Sequence, residues 1–171
     1  MASILKVNEI QHSGGTSAMT VASDGKVTLP QPVTFKVPMF HVNRSSNVTT
    51  ASAYVAPYDS VIFDTDNWYS TGTGRYTPQR AGYYSFMGQW SLATINTSHY
   101  LSVNLRFNGT QKFNRVQYGG AATYPRPQVS GVFYMNGTSD FVDVYVTFSG
   151  GANSIWPDVQ GNNFTGHYIG S

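Results

Sequence analysis

The 171-residue chain predicts an all-β protein, a sandwich of many short strands preceded by an extended N-terminal arm. Three observations predict it. Strand-favouring aromatics are abundant, with 12 Tyr, 10 Phe and 3 Trp making 15% of the chain. Helix formers are scarce: charged residues reach only 11%, there are four lysines, and Glu9 is the one glutamate. From Pro38 onward apolar residues recur with period two in short runs separated by Gly, Pro and Asn turns, and no window holds a helical period.

The elements follow in chain order. Residues 1–31 contain no Phe, Tyr or Trp, and their short apolar alternations (Ile4, Val7, Ile10, then Met19, Val21) are broken by Ser13-Gly14-Gly15 and Asp24-Gly25. Such a segment forms short strands but buries no core alone. It closes on Pro30-Gln31-Pro32, an extended linker. Residues 1–37 therefore read as an arm that needs a partner, and 38–171 as the head. Thr77-Pro78-Gln79-Arg80-Ala81-Gly82 is a sharp connection from a short edge strand into a core strand. In that core strand Tyr84, Phe86, Trp90 and Leu92 share the inward face with Gly88 between them, and Tyr83 falls on the opposite face. Leu101, Val103, Leu105 and Phe107 alternate with Ser102, Asn104 and Arg106, a half-buried strand closed by the tight-turn pair Asn108-Gly109. Val142, Val144, Val146 and Phe148 alternate with Asp143, Tyr145 and Thr147, and a final strand runs from Phe164 to Ile169.

The same composition narrows function. A net charge of +2 from scattered Lys and Arg makes no nucleic-acid patch. No cysteine is present, so disulfides and thiolate metal sites are excluded. No stretch approaches the roughly 20 apolar residues of a membrane helix, and the start, MASILKVNEIQHSGG, lacks the apolar region of a signal peptide. Sequons at Asn47, Asn96, Asn108, Asn136 and Asn163 read first as turn chemistry. Two loose carboxylate pairs, Asp64 with Asp66 and Asp140 with Asp143, fall short of a calcium ligand set and have no cleft assigned for glycoside hydrolysis. His12, His41, His99 and His167 show no metal spacing, and the serines lack a nucleophile elbow. No cofactor, metal or catalytic residue is expected. Twelve tyrosines exceed the needs of one core, which points to an interface or a recognition surface.

The order of landmarks is more specific. Val61-Ile62-Phe63-Asp64 precedes Asn67-Trp68-Tyr69, then Thr73-Gly74-Arg75-Tyr76-Thr77, then Ala81-Gly82-Tyr83-Tyr84-Ser85-Phe86, then the Asn108-Gly109 turn. Val132 to Asp140 leads into Val142-Asp143-Val144, and the chain closes on Asn163-Phe164-Thr165-Gly166-His167-Tyr168-Ile169. Over residues 38–171 this resembles the complement C1q-like head, a member of the tumour-necrosis-factor-like jelly rolls. Ala81 stands where that family usually has Pro, and Thr138-Ser139-Asp140 follows Gly137 where Gly-Asp is usual. Residues 1–30, with SDGKVTLP near their end, are similar to leaders of structural proteins of tailed, especially marine, bacteriophages.

The two resemblances together imply a phage virion structural protein located on the particle surface. It would be a tail fibre, spike or capsid decoration whose ten-strand jelly roll forms a homotrimer. Residues 1–37 would bind other virion proteins and help trimerisation, and the head would attach to a host-surface glycan or protein. The family topology places the connections at about 93–99, 115–127 and 149–162 at the exposed end. They supply His99, Arg115, Tyr118, Tyr124, Arg126, Trp156 and Asp158 as candidate ligand residues, with Trp156 alternatively a lid on the core. It also places His41 and His167 near a trimer axis, and the candidate interface is His41, Tyr83, Tyr134, Tyr145 and His167. Two other readings stand beside this one: a secreted C1q-like recognition module, and a polysaccharide-degrading enzyme.

Overall fold

The structure, a computed structural model, describes residues 8–11, 13–30, 36–46, 53–92, 99–119, 125–149 and 161–171. The chain divides into two compact units, Met1–Lys36 and Val37–Ser171. In the first, β1 (Glu9–Gln11), β2 (Ser17–Val21) and β3 (Val27–Thr28) form one antiparallel sheet in that order. Its turns use the glycines that broke the sequence pattern: Gly15 and Gly25 have φ of 82° and 83°, a region that favours residues without a Cβ. Ile10, Val27 and Leu29 remain exposed, so these strands are held by backbone hydrogen bonds more than by a core.

Among its described residues the second unit has eleven strands, where about ten were expected: β4 (Met39–Asn43), β5 (Ala53–Val55), β6 (Ser60–Asp64), β7 (Tyr69–Ser70), β8 (Arg75–Tyr76), β9 (Gly82–Gln89), β10 (Tyr100–Phe107), β11 (Thr110–Tyr118), β12 (Gln128–Met135), β13 (Val142–Phe148) and β14 (Asn163–Gly170). No helix occurs among the described residues. A five-stranded sheet has the order β12-β9-β14-β4-β6, and a six-stranded one the order β11-β10-β13-β8-β7. Strands β5 and β8 share the remaining edge of β13, β5 along Tyr145–Thr147 and β8 along Val142–Asp143. The short strand Arg75–Tyr76 is therefore internal to its sheet, between β13 and β7, and not the edge strand that the sequence suggested.

The two sheets enclose an aromatic core. Trp90, Tyr58, Tyr76, Tyr84, Phe40, Phe86 and Phe164 are all buried. Removing each such ring from water stabilises the fold by about 1.5–3 kcal/mol. Phe40 stacks on Tyr76 with centroids 4.1 Å apart and meets Phe164 edge-on at 4.8 Å. Two buried tyrosine hydroxyls find backbone acceptors: Tyr58 donates to the Gln89 carbonyl at 2.9 Å and Tyr69 to that of Tyr58 at 3.2 Å. Tyr84 donates back to the Arg80 carbonyl at 2.9 Å, pinning the Thr77–Gly82 corner from inside the strand it introduces. Asn108 and Gly109 both take positive φ, 50° and 77°, as a two-residue hairpin with a mirror-image turn requires.

Candidate functional site

Because side chains alternate along a strand, the five-stranded sheet has one face in the core and one outside. The outer face is unusually apolar. One register row reads Val132, Ser85, His167, Met39, and the next reads Ser130, Met87, Thr165, His41, Phe63. Tyr134 lies opposite Tyr83, their rings meeting edge-on at 5.3 Å. Tyr83, Tyr134, Val132 and Phe63 are each between 44% and 54% exposed. His41 sits edge-on to Phe63 at 5.9 Å. Four of the five candidate interface residues, His41, Tyr83, Tyr134 and His167, thus share one surface. Tyr145 does not: it lies on the other sheet, beneath the Arg106 guanidinium at 4.1 Å.

The outer face of the six-stranded sheet is polar instead. Arg106 reaches Asp143 through Nε at 2.7 Å and Nη2 at 2.8 Å, while Asp143 is fully buried. Arg75 approaches the same carboxylate at 3.7 Å. Beside this cluster a groove of about 260 Å³ is lined by Tyr100, Ser102, Asn104, Gln111, Asn114, Val116, Tyr118 and Thr147. Ser102 and Asn104 are buried, although alternation along β10 assigned them to a solvated face. Val116 and Thr147 flank Ser102 in register, and Asn114 and Tyr145 flank Asn104, so neighbouring strands wall them in. Only the pairing of β10 with both β11 and β13 creates this floor, and no signal in β10 itself marks it.

Of the loop candidates, His99 and Arg126 lie outside any strand. In the core, Tyr54 meets Trp90 and Phe148 edge-on, with centroids 6.0 and 6.2 Å away. His99 accepts a backbone hydrogen bond from Gly119 at 2.7 Å, and Leu92 donates to Pro125 at 3.4 Å. Arg126 is exposed beside Pro125. Arg115 and Tyr118, expected in a loop, belong to β11 instead, since the strand runs on to Tyr118. By register Arg115 pairs with core-facing Val103 and Tyr118 with Tyr100, so they point to opposite sides of the sheet. Tyr124, Trp156 and Asp158 lie outside the described residues, as does His12.

Asp59, Asp64, Asp66 and Asp140 are committed to local structure. Asp64 accepts from the Tyr69 N–H at 2.7 Å, and Asp66 from the Thr65 hydroxyl at 2.7 Å. Asp140 accepts from Asn108 and from the Asn136 N–H, both at 2.8 Å. Asp59 accepts from the Ser45 N–H at 2.8 Å and the Ser46 hydroxyl at 3.0 Å, with Arg44 at 3.2 Å. Burial alone would raise Asp59, but these bonds and the Arg44 charge outweigh it and hold the carboxyl below its usual range. Burial pushes the Tyr84 phenol up to about 12, and Tyr58, Tyr69 and Tyr76 are raised for the same cause, so these hydroxyls serve packing. Among the described residues no group of three or more His, Cys, Asp or Glu could hold a metal ion.

No protein-family model and no curated protein matches the chain. Solved structures do. Murine APRIL at pH 8.0 is similar with a TM-score of 0.60 and 12% identity, over 78% of this chain and 100% of that one. Murine APRIL at pH 5.0 gives 0.59 and 12%, over the same shares. The globular domain of zebrafish complement 1qA gives 0.53 and 17%, over 78% of this chain and 98% of that one. Likeness at these identities establishes the fold: the chain carries a C1q/TNF-like jelly roll. It also corrects the virion reading. The similar structures named above are C1q/TNF-type proteins and not phage structural proteins, and nothing ties residues 1–30 to a particle. The roles of tail fibre, spike or capsid decoration, the surface location on a virion, and the partnership with other virion proteins and a phage host are therefore withdrawn.

Proposed function

We propose that this chain is a non-catalytic recognition module of the C1q/TNF type, a secreted head that works as a homotrimer. One observation carries the reading. The two outer faces of the sandwich differ, the five-stranded one bearing Tyr83, Tyr134, Val132, Met39 and Phe63 at the surface, the six-stranded one bearing Asn, Ser, Thr and ion pairs, with Tyr100 and Tyr118 confined to one end of its groove. A contiguous apolar face marks an interaction surface. Copies of one chain that meet through the same patch close into rings, and the resemblance to C1q-like heads implies three. His41 and His167 would then lie in or beside the seam, and residues 1–37 would form an arm that helps gather the copies. The engaged state of the described carboxylates supports a binding role over an enzymatic one.

Sedimentation equilibrium of the purified chain tests this. The expected mass is three times 18.7 kDa. Tyr83→Arg together with Tyr134→Glu should give a folded monomer with an unchanged β-type circular dichroism spectrum. A wild-type protein that stays monomeric at micromolar concentration would overturn the reading.

A further inference from the structure

We propose that the groove on the outer face of the six-stranded sheet is a binding site for an uncharged oligosaccharide. The inference rests on the recognition-module reading but uses the opposite sheet from the self-association face.

The lining carries the chemistry. Five of the eight residues, Ser102, Asn104, Gln111, Asn114 and Thr147, carry amides or aliphatic hydroxyls, and none of the eight is a carboxylate, ammonium, guanidinium or imidazole side chain. Sugar hydroxyls both donate and accept, which matches amide and hydroxyl side chains better than fixed charges. Arg106, which pairs in register with the lining residue Gln111, is engaged: its guanidinium is bidentate on Asp143 and lies over the Tyr145 ring. An anionic ligand would therefore find no available partner in the lining.

The floor is preorganised. Asn104 donates through Nδ2 to the Tyr145 carbonyl at 2.8 Å, which fixes the amide and leaves Oδ1 turned to Ser102 Oγ at 3.3 Å. Both side chains are almost fully buried within the protein, so the floor loses little freedom on binding. At one end Tyr100 and Tyr118 cross edge-on at 6.2 Å, and Tyr118 is 74% exposed. A large aromatic left this open at the end of a strand has an apolar face available for the C–H surface of a pyranose ring, with its hydroxyl able to reach a sugar oxygen. The volume, about 260 Å³, lies just under the roughly 300 Å³ where drug-sized pockets begin, and suits one or two rings of a longer chain.

The test uses the full chain and isothermal titration calorimetry against three probes: neutral maltopentaose, xylopentaose and chitopentaose, with a sulfated heparin pentasaccharide as the charged comparison. At least one neutral probe should bind, with an affinity that raised salt leaves unchanged. Tyr118→Ala and Asn114→Ala, both at exposed positions, should each weaken it about tenfold or more, as loss of an aromatic or amide anchor in a small site does. Their melting temperatures should match wild type. Failure of every neutral probe, binding confined to the sulfated probe and erased by salt, or neutral binding indifferent to both variants would each overturn the proposal. The Tyr83→Arg, Tyr134→Glu monomer is measured alongside: a monomeric wild type sinks the trimeric module, whereas loss of sugar binding in an intact trimer sinks only the groove.

Discussion

Asp143 shows what one buried charge demands. Its carboxylate is removed from water, yet two short bonds from Arg106 and a longer approach by Arg75 replace the lost hydration. Asp143→Ala would strand Arg106, whose side chain is only 17% exposed. Breaking such a pair should cost about 3 kcal/mol in urea denaturation, toward the lower bound for buried pairs because Arg106 keeps some water. Arg75→Ala, at a residue 42% exposed and 3.7 Å away, should change stability by no more than about 1 kcal/mol. Asp59 makes a different prediction. Its folded-state pKa is depressed, so its stabilising contribution is complete above the unfolded carboxylate value, about 4, and is lost as pH falls through the lower folded value. Asp59→Asn should therefore reduce stability at neutral pH and flatten the acid limb of the stability–pH curve below about pH 4, measured by thermal melts across pH. A variant whose acid limb superimposes on wild type would show that the Ser45, Ser46 and Arg44 contacts have no linkage to folding. Asp143 was visible in the sequence only as half of a loose carboxylate pair with Asp140, and nothing in the sequence singled out Asp59. Asp143 reads as a solvent-side position in β13, and its partner arrives from Arg106, 37 residues away.

At the scale of the element, period-two alternation carried most of the fold. It placed Tyr84 and Phe86 inward and Tyr83 outward on β9, as the structure has them. It also continued past the strand's end, so that Trp90 and Leu92 are buried although β9 stops at Gln89. Alternation fails where a strand is too short to show a period. Tyr76 is fully buried in the two-residue β8, between an intermediate Arg75 and Thr77, and nothing in GRYT distinguishes that from an edge. It fails again in β10, where Ser102 and Asn104 are buried by neighbours that come from other strands. Those two residues form the floor of the groove, so that floor was beyond reach of any reading of β10 alone. Gly166 in β14 shows the reverse case, a strand residue whose identity is dictated by packing. A Cβ there would lie 2.6 Å from the Phe86 ring and 2.7 Å from that of Phe40. Gly166→Ala should overpack this layer at a cost of about 1–3 kcal/mol. Gly170→Ala, in the same strand with nothing within 4 Å of the added carbon, should stay within about 0.5 kcal/mol. Equal effects at the two positions in chemical denaturation would contradict the packing account.

For the whole molecule, the core and the apolar outer face both lie in the second unit, Val37–Ser171. The first unit contributes strands whose larger apolar residues, Ile10, Val27 and Leu29, are themselves exposed. Stability of the head should therefore be independent of the arm but dependent on assembly. Anything that binds the folded state and not the unfolded chain raises the melting temperature by mass action, and for a self-associating protein the ligand is another copy of itself. A chain of residues 37–171 should consequently melt at higher temperature as its concentration rises, in parallel with the full chain. With Tyr83→Arg and Tyr134→Glu in the same background, the melting temperature should stop responding to concentration, because the exposed aromatic pair proposed to seat one copy on the next is replaced by charges. Differential scanning calorimetry over about a hundredfold range of concentration resolves the cases, since such a dilution shifts apparent stability by about 2.7 kcal/mol per coupled site. A wild-type head with a concentration-independent transition would place the exposed aromatics outside any self-association seam. A 37–171 head that melts far below the full chain would show that the arm, despite its exposed strands, contributes to the folded state of the head.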